Sequence, residues 1–462
     1  MLRFSRTIPC LIVALVLSVH WASPVQAVEV SAEEMDAYTD AIVFGKNPEK
    51  QKALEVFKAR GKTDVIAALT IGFRFRQNDF EIINTITQLT GEPITNWREA
   101  MEWQETHPEV TPHKSFQKLK LKIYARIDPE FMRFLNGDKS LQKNLDIRFE
   151  EIVWGGVGVD GIPSLDDPDL IEASEATYMI DDDLIFGVEI NGDARAYPLR
   201  IMGWHEMFNE TIGGVPVALA YCTLCGAGIL FETQIEGRNK PFVFGSSGLL
   251  YRSNKLMFDR QTDSLWNQFT GEPVSGPLRD KGIQLKIRPV AITSWKQWRT
   301  DNPKTKVLSV ETGHARDYSS GNVYKDYFSS PDLMFPVVVR NEKELKRKDY
   351  VFGIRELGAA KAWPITAFTD ITIINDQIGS KNIVLVGNAQ TRTVRAYERG
   401  ENIFNPLGDE GSLTDASGSW QVTETALVSQ NGEKLPRVPG HVSYWFAWDS
   451  YLGVKSELYS AK

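Results

Sequence analysis

Two cysteines separated by two residues carry the strongest chemical signal in this sequence. Cys222 and Cys225 stand in the segment YCTLCG, residues 221–226. A Cys-x-x-Cys-Gly turn resembles half of a zinc knuckle, in which the glycine lets backbone amides point at the sulfurs. Zinc and copper both accept sulfur and imidazole ligands, so the motif predicts a site for one of these two metals.

The remaining ligands of such a site must be histidines or carboxylates, because the sequence holds no second Cys-x-x-Cys pair. A closed zinc site needs four ligands. His205, which lies 17 residues before Cys222, is the best candidate for the third ligand. His314 or His441 could supply the fourth ligand. Glu206 could act as an acid or base beside the metal.

Two other interpretations of the cysteines stay open. The first is thiol–disulfide exchange, although the motifs that catalyse it usually begin a helix. Here the residues that follow, AGILF (227–231), are typical of a strand. The second is an inert structural disulfide, which would close a very short loop and restrain the unfolded chain by only about 2 kcal/mol.

The elements that must position these residues are mostly short strands. From about residue 152 onward, runs of β-forming residues such as 184–190, 216–221, 335–339 and 383–386 alternate with Gly, Asn, Asp and Pro. This pattern predicts mainly antiparallel β-structure, as a sandwich or barrel.

The β-rich part also repeats itself. Residues 186–221 and 352–387 align without a gap at an offset of 166, with ten of 36 positions identical. Chance would give about two identities at common residue frequencies. Later Trp-x-x-Trp pairs, at 295–298 and 445–448, recur at a shorter offset. We therefore predict two tandem copies of one β subdomain.

The site residues occur in the first copy alone. At the same offset, His205 and Glu206 face Ile371 and Thr372, and the two cysteine positions hold Asn388 and Thr391. A group that only one copy contains is not needed for the shared backbone. The asymmetry therefore favours a specialised site in the first copy.

Helix signals dominate the chain before residue 150. Ser31 and Glu34 have the spacing of a capping box. Asn47 is predicted as the N-cap of a helix whose first residue is Pro48, and Gly61 as its end. Several short helices joined by short loops predict a HEAT-like module, which could offer a face to a protein partner or serve only for packing.

The N-terminal residues have the features of a targeting signal. Arg3 and Arg6 precede an apolar run over 8–19, and VQA (25–27) ends in small residues. These features predict a secretory signal peptide that is cleaved after Ala27, a periplasmic or secreted protein, and no transmembrane segment in the mature form.

These observations combine into an α+β fold with five segments. We predict a signal peptide over 1–27, a helical module over 28–150, a first β copy over 151–298, a connecting segment over 299–346, and a second β copy over 347–462. The 462 residues carry a formal net charge of −8 and are 42% hydrophobic. These values exclude a disordered chain and a multi-span membrane protein, and they argue against a nucleic-acid partner.

The sequence resembles a bacterial family known as domain of unknown function 3179, over about residues 150–450. The resemblance is carried by NGDARAYP (191–198), His205-Glu206 with Asn209, YCTLCG (221–226), SGLLY (247–251), FDRQTDSLW (258–266), Thr312-Gly313 with RDY (316–318), and WFAW (445–448). The resemblance implies an exported protein with a site at the His-Glu and Cys-x-x-Cys motifs. It implies no reaction, and the helical part lies outside it.

Three functions therefore remain as hypotheses. The first is an exported metalloprotein that binds zinc or copper through Cys222, Cys225 and His205, either as an enzyme or as a metal carrier. The second is a periplasmic thiol–disulfide protein. The third is a non-catalytic binding or scaffold protein whose helical module contacts a partner.

Overall fold

The N-terminal part of the chain is a helical module. The computed structural model describes residues 29–135, 145–355, 357–369, 372–408 and 411–460. The signal peptide predicted over 1–27 therefore lies outside the described residues. The helices of the module are α1 (Ala32–Phe44), α2 (Asn47–Arg60), α3 (Ile66–Phe75), α4 (Phe80–Thr90), α5 (Trp97–Thr106), α6 (Lys114–Ile127) and α7 (Met132–Leu135).

The helix boundaries follow local signals in the sequence. Ser31 and Glu34 form the reciprocal capping box that their spacing predicts at the start of α1. Gly61 ends α2 in the left-handed conformation, with φ +62°. The start of α2 differs by one residue, because Lys46 takes the N-cap position and Asn47 is already helical.

The helical module packs directly against the first β part. Phe116 and Phe134 share one hydrophobic core with Leu256 and Phe258 of that part. The buried Lys120 of α6 donates hydrogen bonds to the carbonyls of Phe149 and Ile152. Burial lowers the pKa of Lys120 to about 7.

After the helical module, the described residues form strands and four short α-helices. The first β part contains β1 (Ile152–Trp154), β2 (Leu165–Asp166), β3 (Leu170–Glu172), β4 (Leu184–Ile190), β5 (Asp193–Pro198), α8 (Leu199–His205), β6 (Met207–Ile212), β7 (Val215–Cys222), β8 (Ala227–Glu232), β9 (Phe244–Tyr251), β10 (Asn254–Asp259), β11 (Leu265–Asn267), β12 (Glu272–Pro273), β13 (Ile287–Arg288), β14 (Ala291–Ser294), α9 (Trp295–Asp301) and β15 (Lys306–Leu308). After it come α10 (Lys325–Ser329), β16 (Tyr350–Ile354), β17 (Ala360–Pro364), β18 (Thr372–Ile378), β19 (Lys381–Asn388), β20 (Thr393–Glu398), β21 (Asn405–Pro406), β22 (Ser412–Asp415), β23 (Gly418–Val422), β24 (Ala426–Ser429), β25 (Lys434–Val438), β26 (His441–Tyr444), α11 (Trp445–Leu452) and β27 (Ser456–Leu458).

The strands form several mainly antiparallel sheets. Three lie in the first part, with the strand orders β1-β9-β10-β11-β12, β13-β8-β7-β6-β2 and β14-β4-β5-β15-β3. Two lie in the second part, with the orders β26-β16-β17-β27 and β18-β19-β20-β25-β24-β23-β22-β21. The α+β class with a helical N-terminal part and a β-rich remainder, which the sequence predicts, is therefore confirmed.

Two of these sheets share an arrangement. In each, a long hairpin (β4–β5 or β16–β17) pairs antiparallel with a strand that precedes a Trp-x-x-Trp helix, and its other edge pairs parallel with a later strand. In each, a hairpin glycine lies against the second tryptophan, Gly187 against Trp298 and Gly353 against Trp448. The strand β15 that completes the first of these sheets lies within the segment predicted as a connection.

Each β part also contains an asparagine whose side chain forms two hydrogen bonds with the backbone of one phenylalanine. The Asn209 side chain both accepts from the backbone N–H and donates to the carbonyl of Phe244. Asn375, at the equivalent position, makes the same pair of hydrogen bonds to Phe404.

Three of the four β-type runs named from the sequence are strands, and one is not. Residues 184–190, 216–221 and 383–386 lie in β4, β7 and β19. Residues 335–339 form an irregular segment instead, so that prediction is wrong. Side chains of α5 form hydrogen bonds with the backbone of this segment in place of a neighbouring strand. Arg98 donates to the carbonyl of Phe335, and Glu105 accepts from the N–H of Val338.

Helices that could cross a membrane were sought in the part of the chain that the structure describes. None of its helices combines the necessary length with sufficient hydropathy.

Candidate functional site

The Cys-x-x-Cys motif forms the tight turn between β7 and β8. Residues 223–225 make one 3₁₀ turn, which Gly226 closes with φ +59°. A Cβ atom at Gly226 would lie 2.9 Å from the ring of Tyr350, so only glycine fits there. Cys222 and Cys225 are joined in a disulfide, and both are buried. The strand predicted after the motif is confirmed as β8.

Two oxygen atoms lie close to the sulfur of Cys225. Its Sγ lies 3.1 Å from Oδ1 of Asn254 and 3.4 Å from the carbonyl oxygen of Ser253. The backbone N–H of Lys255 donates to the same Oδ1, which fixes the orientation of the Asn254 amide. A disulfide sulfur has no hydrogen to donate, whereas a thiol at this position would donate to these acceptors.

Glu206 brings a carboxylate to the cysteine turn. It follows α8 in the left-handed conformation, with φ +55°, where glycine is the usual residue. Its carbonyl accepts from the backbone N–H of Tyr221, the residue before Cys222. Its Oε1 accepts a hydrogen bond of 2.5 Å from the hydroxyl of Thr223, which lies between the two cysteines.

A buried cation balances this carboxylate. Nζ of Lys255 lies 3.1 Å from Oε2 of Glu206, and both side chains are less than a tenth exposed. Tyr324, from the chain before α10, brings its hydroxyl to 3.4 Å from Oε1. Burial and the charge of Glu206 raise the pKa of Tyr324, so this hydroxyl stays protonated at neutral pH.

Cys222, Glu206 and Lys255 line one small cleft. Its volume of about 40 Å³ is room for no more than a few water molecules. Thr223, Leu224 and glycine-rich segments around residues 155 and 248 complete its walls. Cys222 lines this cleft, whereas Cys225 does not and is fully buried.

His205 lies next to Glu206 in sequence but has different contacts. Its Nδ1 lies 2.9 Å from the carbonyl oxygen of Pro163, and its Nε2 lies 2.6 Å from the hydroxyl of Tyr318. That hydroxyl also lies 2.6 Å from Oγ1 of Thr312. Both ring nitrogens of His205 therefore have protein partners.

The other two histidines predicted as ligands lie apart from each other. His314 is exposed, and its ring centroid lies 5.2 Å from that of His205. His441 is buried at the start of β26, against the rings of Phe269 and Trp448. Burial lowers the pKa of His441 to about 3.

These side chains, as they are placed, do not compose a metal site. The cysteine sulfurs are bonded to each other, and both nitrogens of His205 face other protein groups. Across the described ranges, no group of three or more His, Cys, Asp or Glu side chains is arranged to hold a metal ion. Metal binding through Cys222, Cys225 and His205 stays a prediction.

Comparison with known proteins identifies a family without a known activity. The sequence model of a family described as "Protein of unknown function (DUF3179)" matches residues 159–454. The chain belongs to the DUF3179 family. No curated protein and no solved structure matches it. The resemblance noted from the sequence motifs is thereby confirmed, and the helical module lies outside the matched range.

Several motifs that carry the DUF3179 resemblance have structural roles. Arg195 forms ion pairs with Asp193 and with the buried Glu210, which also accepts from the hydroxyl of Tyr197. The carboxylate of Asp259 accepts from Thr262 and from the indole N–H of Trp266. These groups hold hairpins together and do not reach the cysteine cleft.

Three site residues were missed by sequence reasoning. Lys255, Asn254 and Tyr324 belong to no motif with a chemical signature. Asn254 and Lys255 follow a tight turn in which Arg252 and Ser253 both have positive φ. Asn254 and Lys255 lie in β10 and the cysteines at the β7–β8 turn of another sheet, so only the packing of the two sheets brings them together, and Tyr324 comes from the chain before α10.

The two buried histidines predict an acid-sensitive fold. Burial lowers the pKa of His205 to about 4, whereas an unfolded chain protonates histidine near pH 6.5. The unfolded state therefore binds the extra proton between these values, and stability falls as the pH drops from about 6.5 towards 4.

We expect the His205→Gln variant to lose less stability than the wild type over this range, by up to about 1.4 kcal/mol per pH unit. Urea unfolding at pH 7, 6, 5 and 4 would measure both slopes. Equal slopes would show that His205 is protonated in the folded protein. His107→Gln is the control, because this half-exposed ring has no such burial.

Proposed function

We propose that this protein exchanges disulfides with thiols at Cys222 and Cys225, with Glu206 as the proton carrier. One observation carries the proposal: the cysteine pair and a buried Glu206–Lys255 ion pair share one cleft and are linked through Thr223. Burial of an ion pair costs desolvation energy and does little for stability by itself. Charged groups arranged at a reactive bond are typical of functional sites.

The exchange balances without a further reactant. A substrate thiol gives its proton to Glu206, and its sulfur attacks Sγ of Cys222. The Cys222–Cys225 bond breaks, its electron pair goes to Cys225, and Glu206 returns the proton to that sulfur. A second substrate thiol then attacks the substrate sulfur of the mixed disulfide and releases Cys222 as a thiol. Two substrate thiols become a disulfide, and the protein disulfide becomes two thiols.

The surroundings of Cys225 support this direction of exchange. Asn254 and Ser253 offer oxygen acceptors that a thiol can use and a disulfide cannot. The single S–H group of a reduced Cys225 can donate to one of these acceptors, and because a thiol is a weak donor this hydrogen bond favours the reduced form by at most about 1 kcal/mol. A two-electron couple shifts by about 30 mV for 1.4 kcal/mol, so these contacts make the disulfide a better oxidant.

The second β part supports a specialised site by contrast. We propose that the two β parts are tandem copies of one subdomain. The paired contacts of Gly187 with Trp298 and of Gly353 with Trp448 support this proposal. Asn388 and Thr391, at the positions that correspond to the cysteines, retain a hairpin without sulfur chemistry.

Export fits the same proposal. Disulfide chemistry of this kind proceeds outside the cytoplasm, where thiols are not held reduced. We propose that residues 1–27 direct the chain to the periplasm or the exterior. We further propose that the helical module is a HEAT-like array that offers a face to a protein partner.

The decisive experiment measures the redox state and metal content of one sample. The full-length chain would be expressed with its own N-terminus, purified without chelator, and equilibrated in glutathione buffers of graded potential. Thiol trapping and intact mass would then give the fraction reduced and show whether cleavage follows Ala27. We expect a reduction potential between about −270 and −120 mV, the range of known exchange proteins.

Two variants define the roles of the cysteines. Cys222→Ser is expected to abolish exchange, and Cys225→Ser is expected to trap a mixed disulfide with glutathione on Cys222. A pair that stays oxidised below about −300 mV behaves as a structural disulfide and overturns the proposal. One metal ion per chain, lost in both Cys222→Ser and His205→Gln, would also overturn it in favour of the metal site.

A further inference from the structure

A large cleft lies near the cysteine turn. Its wall includes Tyr350 and Tyr444, whose rings also lie next to Gly226 of that turn. Its volume is about 910 Å³, the size that small-molecule sites take in proteins. The first β part, the segment before β16 and the second β part all contribute to its walls. The proposed thiol–disulfide exchange does not use this cleft.

Tyrosine rings form one wall of the cleft. Tyr350 and Tyr444 stack with their ring centroids 4.5 Å apart, and the hydroxyl of Tyr350 donates to that of Tyr444. Tyr221 also lines the cleft and is only 5% exposed. Its hydroxyl can both donate and accept a hydrogen bond. A ligand in the cleft would therefore find one polar atom on this otherwise aromatic wall.

Two cations in the cleft have no acidic partner. Arg392 lies 4.6 Å over the ring of Tyr350, and no carboxylate of the described residues lies within 4 Å of its guanidinium. Nζ of Lys348 donates to the carbonyls of Tyr327 and Ser330 and likewise has no ion pair in the described ranges. Nζ also lies 3.3 Å from the centroid of the Tyr327 ring, so Lys348 contributes its charge to the cleft rather than a free donor.

Two other arginines of the cleft are paired with carboxylates, whereas Lys346, Asp182 and Asp349 form no ion pair within the described residues, so five cations and four carboxylates leave one excess positive charge on the lining. Arg200 forms an ion pair with Asp183, and Arg347 forms one with Glu342. Asp349 accepts from the backbone N–H of Lys346. Asp182 is exposed. The cleft favours an anion near Arg392 and Lys348, because these two cations have no ion pair among the described residues and the hydroxyl of Tyr221 can donate beside them.

The cleft also has an apolar surface. Phe328, on α10, is 40% exposed and lines the cleft. A large aromatic side chain exposed within a cleft gains by covering a ligand's apolar part. The site thus combines charge for an anionic group with an aromatic surface for a flat apolar body.

We propose that this cleft binds a small aryl anion, an aryl carboxylate or aryl phosphate. Its anionic group lies on Arg392, Lys348 and the hydroxyl of Tyr221, and its ring packs on Phe328. This proposal is independent of the exchange reaction, since binding is measured without any redox step.

Calorimetric titration of the full chain with benzoate and with phenyl phosphate would test the proposal and separate the two anion types. We expect at least one of them to bind, and neutral benzamide and inorganic phosphate each to bind at least about tenfold more weakly. Benzamide that binds as tightly as benzoate would overturn the anion site. The absence of binding by either aryl anion at 10 mM, a concentration above the range of about 1 µM to 1 mM in which KM values usually lie, would also overturn it.

Variants then locate the site. Arg392→Gln is expected to weaken binding about tenfold or more, and Tyr221→Phe about fivefold. Tyr221→Phe removes one hydroxyl and keeps the buried ring, so the protein is expected to fold normally. Arg126→Gln is the matched control, because Arg126 also lies over an aromatic ring, Phe44, but in the helical module. Unchanged affinity in both cleft variants would place the anion elsewhere and refute the assignment.

Discussion

Replacing Glu206 with glutamine is expected to slow thiol–disulfide exchange by about two to three orders of magnitude. Proton transfer by a positioned side chain contributes about 10²–10⁴-fold to the rate of a reaction. Glutamine keeps the size of Glu206 and can still accept from Thr223, but it cannot take the proton of the incoming thiol. The rate of reduction of the Cys222–Cys225 disulfide by excess dithiothreitol at pH 7 would measure the effect.

The same substitution also has a cost in stability. Lys255 would keep its charge in a buried position without a counter-ion, and removal of one partner of a buried ion pair costs about 3–5 kcal/mol. The exchange rate must therefore be measured on folded protein, with circular dichroism and urea unfolding on the same preparation.

Glu210→Gln is the matched control for this experiment. Glu210 is also a buried carboxylate with a cationic partner, Arg195, but it lies away from the cysteine cleft. We expect it to lose stability and to keep the wild-type exchange rate in the folded state. Equal rates in Glu206→Gln and wild-type protein would show that Glu206 does not carry the proton. The exchange itself would then have to use solvent as the base.

The sequence was informative where the motif and the fold depend on local signals. The hairpin position of the Cys-x-x-Cys pair, the strand that follows it, and the cap of α1 all follow from residue types within a few positions. The family motifs also pointed to Tyr318, which the structure places against His205.

The partners of His205 and Glu206 could not be read from the sequence. The two residues are adjacent, but His205 ends α8 and Glu206 has a left-handed backbone, so their side chains diverge. Spacing along the chain favoured His205 as the group beside the cysteines. In the structure Glu206, not His205, contacts the cysteine turn. This contact depends on the register in which β6 pairs with β7, and the sequence alone does not determine that register.

Contacts between residues that are distant in the sequence could not be predicted for the same reason. Lys255 is 49 residues and Tyr324 is 118 residues from Glu206 in the chain. The irregular course of residues 335–339 likewise depends on Arg98 and Glu105, more than 200 residues earlier. Interactions between such distant segments depend on the tertiary fold rather than on local composition.

Gly353→Ala is expected to destabilise the second β part by at least about 3 kcal/mol. A Cβ atom at Gly353 would lie 1.9 Å from the indole ring of Trp448, which is fully buried. The strand β16 cannot move away, because it is paired on both sides, with β17 and β26. Gly187→Ala is expected to have a comparable effect, since its Cβ atom would lie 2.3 Å from Trp298.

Controls for these substitutions lie in the same two hairpins. Gly358 and Gly192 have φ values of +75° and +85° and open space at the Cβ position. Alanine there is expected to cost only about 1 kcal/mol of backbone strain. Urea unfolding followed by far-ultraviolet circular dichroism would give all four values.

A double-mutant cycle identifies the cause of the loss. Trp448→Leu removes the ring that the alanine would meet, so Gly353→Ala should cost at least about 2 kcal/mol less in that background. A cost that does not depend on Trp448 would mean that strain in β16, rather than ring contact, requires the glycine. If Gly187→Ala and Gly353→Ala behaved differently in their matched cycles, the two hairpins would not share one packing rule. The proposal of tandem copies would then lose its strongest structural support.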